Sequence, residues 1–164
     1  MSYPNNIIDP SFKHGKNLKI GYYNHIHEGV TVGDNCTIKS FTELRPDTVI
    51  GNNCYIDSGV KTSGQCKIGN NVTLRYDAII ARNVIIEDDV FISPQVMTIN
   101  IAFTEKAKKP TIIRKGAKIG TNATINDGVE IGPGVIIGAK TFVTKDCVEP
   151  GTYVGVPAAL KKSK

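Results

Sequence analysis

The apolar positions of this chain fall on a six-residue beat. From Ile20 to Ile92 every sixth residue is Ile, Val or Leu, with Thr62 the one exception; after a break the beat resumes at Ile113 and runs through Ile119, Ile125, Ile131 and Ile137 to Val143. Eighteen of the nineteen positions in these two runs are aliphatic. The residue four beyond each is small, from Val30 and Cys36 to Cys147, with Asn24 the exception. Three beyond, Gly, Asn or Asp stands in fourteen of nineteen units, and these residue types accept positive φ. Glycine often follows the aliphatic directly, as at Gly21, Gly33, Gly51, Gly69, Gly120, Gly132 and Gly138.

Each unit therefore reads as a short strand that buries one large and one small side chain, followed by a tight turn. Helical spacing is absent. One such unit cannot bury its apolar side alone, so units must stack on one another. Three units close a triangular coil of eighteen residues, with successive coils roughly 4.8 Å apart. The pattern predicts an all-β chain, a parallel β-helix of hexapeptide repeats with about six coils over residues 20–148. Residues 1–19 carry no hexads in this reading and form an N-terminal cap that covers the open edge. Residues 149–164, where Pro150 and Pro157 break the beat, form a C-terminal cap and a basic tail. Continued rhythm would place a unit at residue 104, so about nine inserted residues predict one loop extruded near 100–110, a usual place for function on a rigid scaffold.

The 164 residues suit one domain. No signal peptide and no transmembrane run is present, which predicts a cytoplasmic protein without membrane insertion. All four cysteines, Cys36, Cys54, Cys66 and Cys147, occupy the small inward position of a hexad, as buried thiols do in a reducing compartment. The net charge of +5 favours anionic partners. Part of it lies in two lysine clusters, Lys106–Lys109 and Lys161–Lys164. The second half of the chain has three Phe, Phe91, Phe103 and Phe142, scattered along it, so no aromatic platform for stacked bases is visible and nucleic acid is not expected. Phosphorylated small molecules suit the charge better.

Familiar catalytic constellations are missing. No nucleophile elbow, P-loop or dinucleotide fingerprint stands in a strand–helix setting. The histidines are His14, His25 and His27. His25 and His27 belong to one corner of one coil and His14 precedes the repeat, so three histidines do not converge on a zinc ion and no metal is expected. The dipeptides Gly120-Thr121 and Gly138-Ala139 are eighteen apart and stack on one corner, with Pro157 eighteen beyond Ala139. Such a column of small residues would let an extended ligand lie against exposed backbone.

The segment GAKTFVTKDCVEPGTYVGVPA, ending at Ala158, resembles the C-terminal signature of the hexapeptide-repeat acyltransferases. Upstream, EDDVFISPQVMTIN and NHIHEGVTVGDN resemble stretches of the nucleotide-sugar 3-amino N-acetyltransferases. The resemblance implies a left-handed helix assembled as a homotrimer, with coenzyme A lying along the glycine corner between two subunits. On that reading Gly120, Thr121, Gly138, Ala139 and Pro157 hold the cofactor, and Lys145 and Lys161 meet its phosphates as point charges. It further implies transfer of an acetyl group from acetyl-CoA to the amine of a nucleotide-linked deoxyamino sugar at C3, for surface polysaccharides. Asn100 takes the place of an active-site Asn in these enzymes, and Tyr76 and Asp77 fall near the acceptor, although Asp77 is also a turn position where Asp is expected anyway. His25 points outward in a column with Glu43 and Lys61, and is a candidate base; His27 is a candidate substrate contact.

The sequence departs from its relatives in two places. Alignment on VFISP puts Arg82 and Asn83 where 4-amino-sugar enzymes carry a His-acid pair, and Asn100 is not followed by the Asn-Pro-Arg common in the 3-amino relatives. Amino-sugar amines titrate near neutrality, so positioning can supply much of the rate without a strong base. Two other readings stand beside this one. An O-acetyltransferase acting on a sugar or antibiotic hydroxyl would need His25 or His27 as base. A non-catalytic β-helix module that binds or scaffolds would not bind coenzyme A.

Overall fold

The computed structural model describes residues 4–100 and 109–161. Two-residue strands build three parallel sheets, one on each side of a triangular left-handed solenoid. The first sheet runs from Ile7–Ile8 through His25–Ile26 to Phe142–Val143, the second from Lys13–His14 to Glu130–Ile131, and the third from Lys19–Ile20 to Ala159–Leu160. Registers confirm the eighteen-residue coil: His25 pairs with Glu43, Val49 with Lys67, and Tyr55 with Thr73.

Within each strand from His25–Ile26 to Phe142–Val143 one residue is buried and the other faces out. Ile26, Ile38, Leu44, Ile56, Leu74, Ile80, Ile86, Ile92, Ile113, Ile119, Ile125 and Ile131 are the largest fully buried side chains. Each contributes roughly 1.5–3 kcal/mol relative to exposure. The turn position also behaves as the pattern requires. Residues three beyond the aliphatic take φ between 54° and 75°, from Tyr23, Gly29 and Asn35 to Gly134 and Lys140. The glycine directly after the aliphatic answers a different need. A Cβ on Gly120 would lie 2.6 Å from Ala139 N and 2.7 Å from Gly138 C in the next coil. Close backbone stacking demands glycine there, not a left-handed φ.

The solenoid has about eight coils rather than six. Residues 7–19, expected to lack hexads, form with Ile20 three strands in register with the coil above: Ile7 with His25, His14 with Val32, and Ile20 with Ile38. The terminal coil covers a core on one side only, so its inward positions tolerate His14 and the aliphatic beat fades there. At the other end the last coil is two residues short. Ile131 pairs with Cys147 and Ile137 with Tyr153, each sixteen residues on. The chain then folds back, and Ala159–Leu160 pairs antiparallel with Tyr153–Val154.

The insertion also appears as a register. Ile85 pairs with Ile112 and Met97 with Thr124, twenty-seven residues apart instead of eighteen. The nine-residue excess leaves the corner between the first and second sheets, after Thr98. Residues 101–108 of the expected loop lie outside the described residues.

Cys36, Cys54, Cys66 and Cys147 are all buried and unbridged. The hydrogen bond to Cys36, and burial after it, raise the Cys54 thiol; burial pushes Cys66 up to about 11. Cys54 and Cys66 are therefore unreactive; the same hydrogen bond draws the Cys36 thiol down to about 7, and only its complete burial shields it. Native protein is expected to resist alkylation at all four, and Ala or Val at each position should leave turnover unchanged with modest loss of stability. A hundredfold loss of rate in any one folded variant would reveal a catalytic thiol.

Candidate active site

Two surfaces flank the first sheet. On the corner leading into it from the third sheet, backbone N–H groups stack Tyr76, Pro94, Thr121 and Ala139 in one column. Gln95 N donates to Tyr76 O, Asn122 N to Pro94 O, and Lys140 N to Thr121 O, at 2.8, 3.1 and 2.8 Å. Gly120 donates to Ile137 O and Gly138 to Tyr153 O, so the small-residue ladder expected from the spacing exists. Tyr76 stands two coils below Thr121. Its ring lies 5.0 Å from the Arg75 guanidinium, which is held by buried Asp57 at 2.9 Å. Asp77 takes φ 56° and its carboxylate packs against Gly59 in the coil below, as its turn position required.

The residues expected to hold the cofactor do not all share this corner. Gly120, Thr121, Gly138 and Ala139 share it. Pro157 comes to its top by another route: the short final coil removes the eighteen-residue stacking on Ala139, while Phe142 N donates to Gly155 O and Ala158 N to Phe142 O. Lys145 lies after Phe142–Val143 on the opposite corner, next to Asp146, whose carboxylate pairs with Lys109 at 2.7 Å. Lys161 N donates to Thr152 O, at the far side of the third sheet, because the last strand runs backwards.

The second surface is a groove of about 540 Å³ across the first sheet and the corner where the loop departs. Glu43, Arg45, Lys61, Arg82 and Asn100 line it, with Thr62 and Thr98 as its floor. These two threonines replace the aliphatic of the hexad in the same sheet, two coils apart. Both are buried, and each hydroxyl takes a backbone N–H of the corner: Arg45 N to Thr62 Oγ1 at 3.0 Å and Ala81 N to Thr98 Oγ1 at 2.7 Å. Asn100 is exposed at the upper end, and its Nδ2 donates to Arg82 O at 3.4 Å.

His25, His27 and Glu43 meet at the lower end. The two imidazole rings stack 3.9 Å apart, and His27 Nε2 is 3.4 Å from Glu43 Oε1, which Arg45 Nε also contacts at 3.0 Å. His25 and Asn100 are not brought together in one chain. Four strand steps separate His25 from Met97, through Glu43, Lys61 and Ile79, roughly 19 Å at about 4.8 Å per step. Sequence reasoning missed Arg45, Lys61 and Arg82, which look like ordinary surface charge; the threonines under them were the available signal.

Residues 2–113 match the family described as "GMPPB C-terminal domain", and residues 110–145 match "Bacterial transferase hexapeptide (six repeats)". The chain belongs to the GMPPB C-terminal domain family. Its repeat and its architecture are those of the hexapeptide-repeat left-handed β-helix acyltransferases. A serine acetyltransferase from Buchnera aphidicola subsp. Schizaphis graminum is 38% identical over 84 residues, 51% of this chain and 32% of that one. The chain thus spans about a third of the length of that curated relative. A UDP-N-acetylglucosamine acyltransferase from Campylobacter jejuni superposes with a TM-score of 0.78 at 20% identity, covering 97% of this chain and 73% of that one. A point mutant of AntD, an N-acyltransferase from Bacillus cereus in complex with dTDP and coenzyme A, gives 0.61 at 22%, covering 93% and 84%. Among the described residues no helix is long and apolar enough to cross a membrane.

Proposed function

We propose that this chain transfers an acetyl group from acetyl-CoA to the amine of a nucleotide-linked deoxyamino sugar, at C3 as its sequence resemblance implies. The observation that carries the reading is the groove: three cations, Arg45, Lys61 and Arg82, against one carboxylate, ending at Asn100. Glu43 neutralises Arg45, which leaves Lys61 and Arg82 to meet an anionic diphosphate. The N-acyltransferase fold relative that holds dTDP with coenzyme A supports the same pairing of ligands.

Coenzyme A suits the glycine corner. The space that a Cβ on Gly120 or Gly138 would take is filled by Ala139 N and by Val154 Cγ1, so these glycines let the chain pack closely, and an extended amide chain would lie along the outside of that corner. The acceptor amine needs little help from a base, since a fair fraction is unprotonated near neutrality. Asn100 then has two available roles. Its side-chain oxygen can accept from the amine and orient it, or its Nδ2 can leave Arg82 O and donate to the oxyanion that develops on the acetyl carbonyl. The amine nitrogen forms the new bond to that carbonyl, the carbon–sulfur bond breaks, and the amine's proton leaves with the thiolate or solvent.

The groove and the glycine corner occupy opposite edges of the first sheet. A second copy that sets its glycine corner against the groove completes the site, which is the reason for proposing a homotrimer with sites between subunits. Light scattering should give three copies per particle; a monomer with full activity contradicts this arrangement. Mixing groove-disabled Asn100→Ala chains with corner-disabled Gly138→Val chains should restore part of the activity that each lacks alone.

The functional test is a screen of amino-nucleotide-sugars with acetyl-CoA, read by thiol release. Turnover with a 3-amino sugar is expected. Turnover with hydroxyl acceptors alone, dependent on His25 or His27, favours O-acetylation instead, and failure to bind coenzyme A at all favours a binding module.

A further inference from the structure

We propose that His25, His27 and Glu43 form a binding site for one borderline transition cation of the Zn²⁺ or Co²⁺ type. Each residue offers one ligand atom, and these atoms lie within 4.8 Å of one another. His25 lies in the His25–Ile26 strand and His27 directly after it; two residues apart on locally extended chain, both side chains take one face, and their rings stack at 3.9 Å. Glu43 is the register partner of His25 in the next coil. His27 Nε2 is buried and has no hydrogen-bond partner, and sits 3.4 Å from Glu43 Oε1. A buried imidazole nitrogen left unsatisfied beside a carboxylate is the arrangement that a cation would resolve.

Two imidazoles and one carboxylate are the donor set of zinc-type sites, with a fourth position left for water or an anionic group. Mg²⁺ and Ca²⁺ prefer all-oxygen shells and are disfavoured here. Ligand bonds of about 2.0–2.2 Å put tetrahedral donors roughly 3.4 Å apart, so rotation of these half-buried side chains has to close the set from its present spacing of within 4.8 Å. Asp9 below is not a fourth ligand, because Ser11 Oγ already holds its carboxylate at 2.6 Å.

One neighbour competes. Arg45 Nε contacts Glu43 Oε1 at 3.0 Å, from a side chain that is 54% exposed. A cation entering the site displaces it, and this gives the proposal a distinctive signature: removing Arg45 should strengthen metal binding. The site differs from the zinc arrangement considered for three histidines. It needs two histidines on either side of Ile26 and an acid eighteen residues beyond the first, a combination visible only once Glu43 is seen to turn toward His27.

The test uses the tag-free chain, stripped with chelator and titrated with Co²⁺, following the visible absorption of the bound ion. One Co²⁺ per chain is expected, displaced by Zn²⁺ and not by Mg²⁺. His27→Ala should weaken binding at least about tenfold, Glu43→Gln should weaken it severalfold, and Arg45→Ala should tighten it severalfold, each with unchanged thermal unfolding. No saturable binding, or binding that survives His27→Ala, overturns the site. Binding indifferent to both Glu43→Gln and Arg45→Ala would show chelation by the histidines alone and would overturn the three-ligand assignment.

Discussion

Replacing Asn100 with Ala is expected to lower kcat/KM for the amino-sugar reaction at least about tenfold, the low end of what one lost oxyanion donor costs elsewhere. The side chain is exposed, and its hydrogen bond to Arg82 O is long at 3.4 Å, so thermal unfolding should hardly change. Asp at this position is a sharper control, since it keeps the shape and the acceptor while losing the donor. His25→Ala is the informative companion. His25 stands four strand steps down the first sheet from Met97, beside which Asn100 lies. N-acetylation at Asn100 of the same chain therefore cannot use His25 directly, and the variant should retain most of its activity. A silent Asn100→Ala together with a dead His25→Ala would move O-acetylation ahead.

Gly120→Val is expected to damage fold and activity together. The atoms nearest a Cβ at this position are Ala139 N, Gly138 C and Ile137 O, at 2.6, 2.7 and 2.8 Å, all backbone of the next coil. Flexible side chains could swing away, but a stacked backbone can respond only by opening the coil. Overpacking typically costs about 1–3 kcal/mol and occasionally more, and the rigid neighbours place this case at the upper end. The thermal midpoint should fall by several degrees, and affinity for coenzyme A should fall further than the stability loss explains, because the same opening distorts the corner. Gly134→Ala provides the contrast. A Cβ there has no neighbour within 4 Å, but φ is +65°, so it strains the turn without obstructing the corner and should leave coenzyme A binding intact.

The repeat is legible because its physics is local. One buried aliphatic, one small residue and one left-handed turn recur every six residues, and Asn35, Asp47 and Asn53 announce their φ by residue type. Tyr23, Phe41, Gln65, Gln95 and Lys140 adopt the same conformation without that chemical hint, imposed by the coils around them. The first coil escapes the pattern because a terminal layer no longer demands an aliphatic at His14. Pro157 departs from its expected column because the final coil loses two residues between Val143 and Cys147, a change that nothing in the beat foretells.

The candidate site is legible in part. The glycine corner follows from eighteen-residue arithmetic, and Asn100 from the resemblance together with the break in rhythm. Lys145 and Lys161, expected to meet the phosphates as point charges, stand on other edges of the solenoid than the glycine corner. The basic groove escapes a reading of the sequence because Arg45, Lys61 and Arg82 occupy different positions in their hexads; only the three-dimensional stacking of three coils puts them on one surface. Thr62, the single fault in the aliphatic run, is the trace it leaves in the sequence, and Thr98 its echo.

The most direct measurement compares two acceptors that differ in a single group, a nucleotide-linked 3-amino-3-deoxy sugar and its 3-hydroxy counterpart, with acetyl-CoA and purified protein. Thiol release and product mass are followed together. The account predicts release with the amine, a product heavier by one acetyl group on nitrogen, and negligible turnover of the hydroxyl compound. Acetylation of the hydroxyl compound at an equal or greater rate, or no thiol release with any amino sugar despite bound coenzyme A, would contradict it.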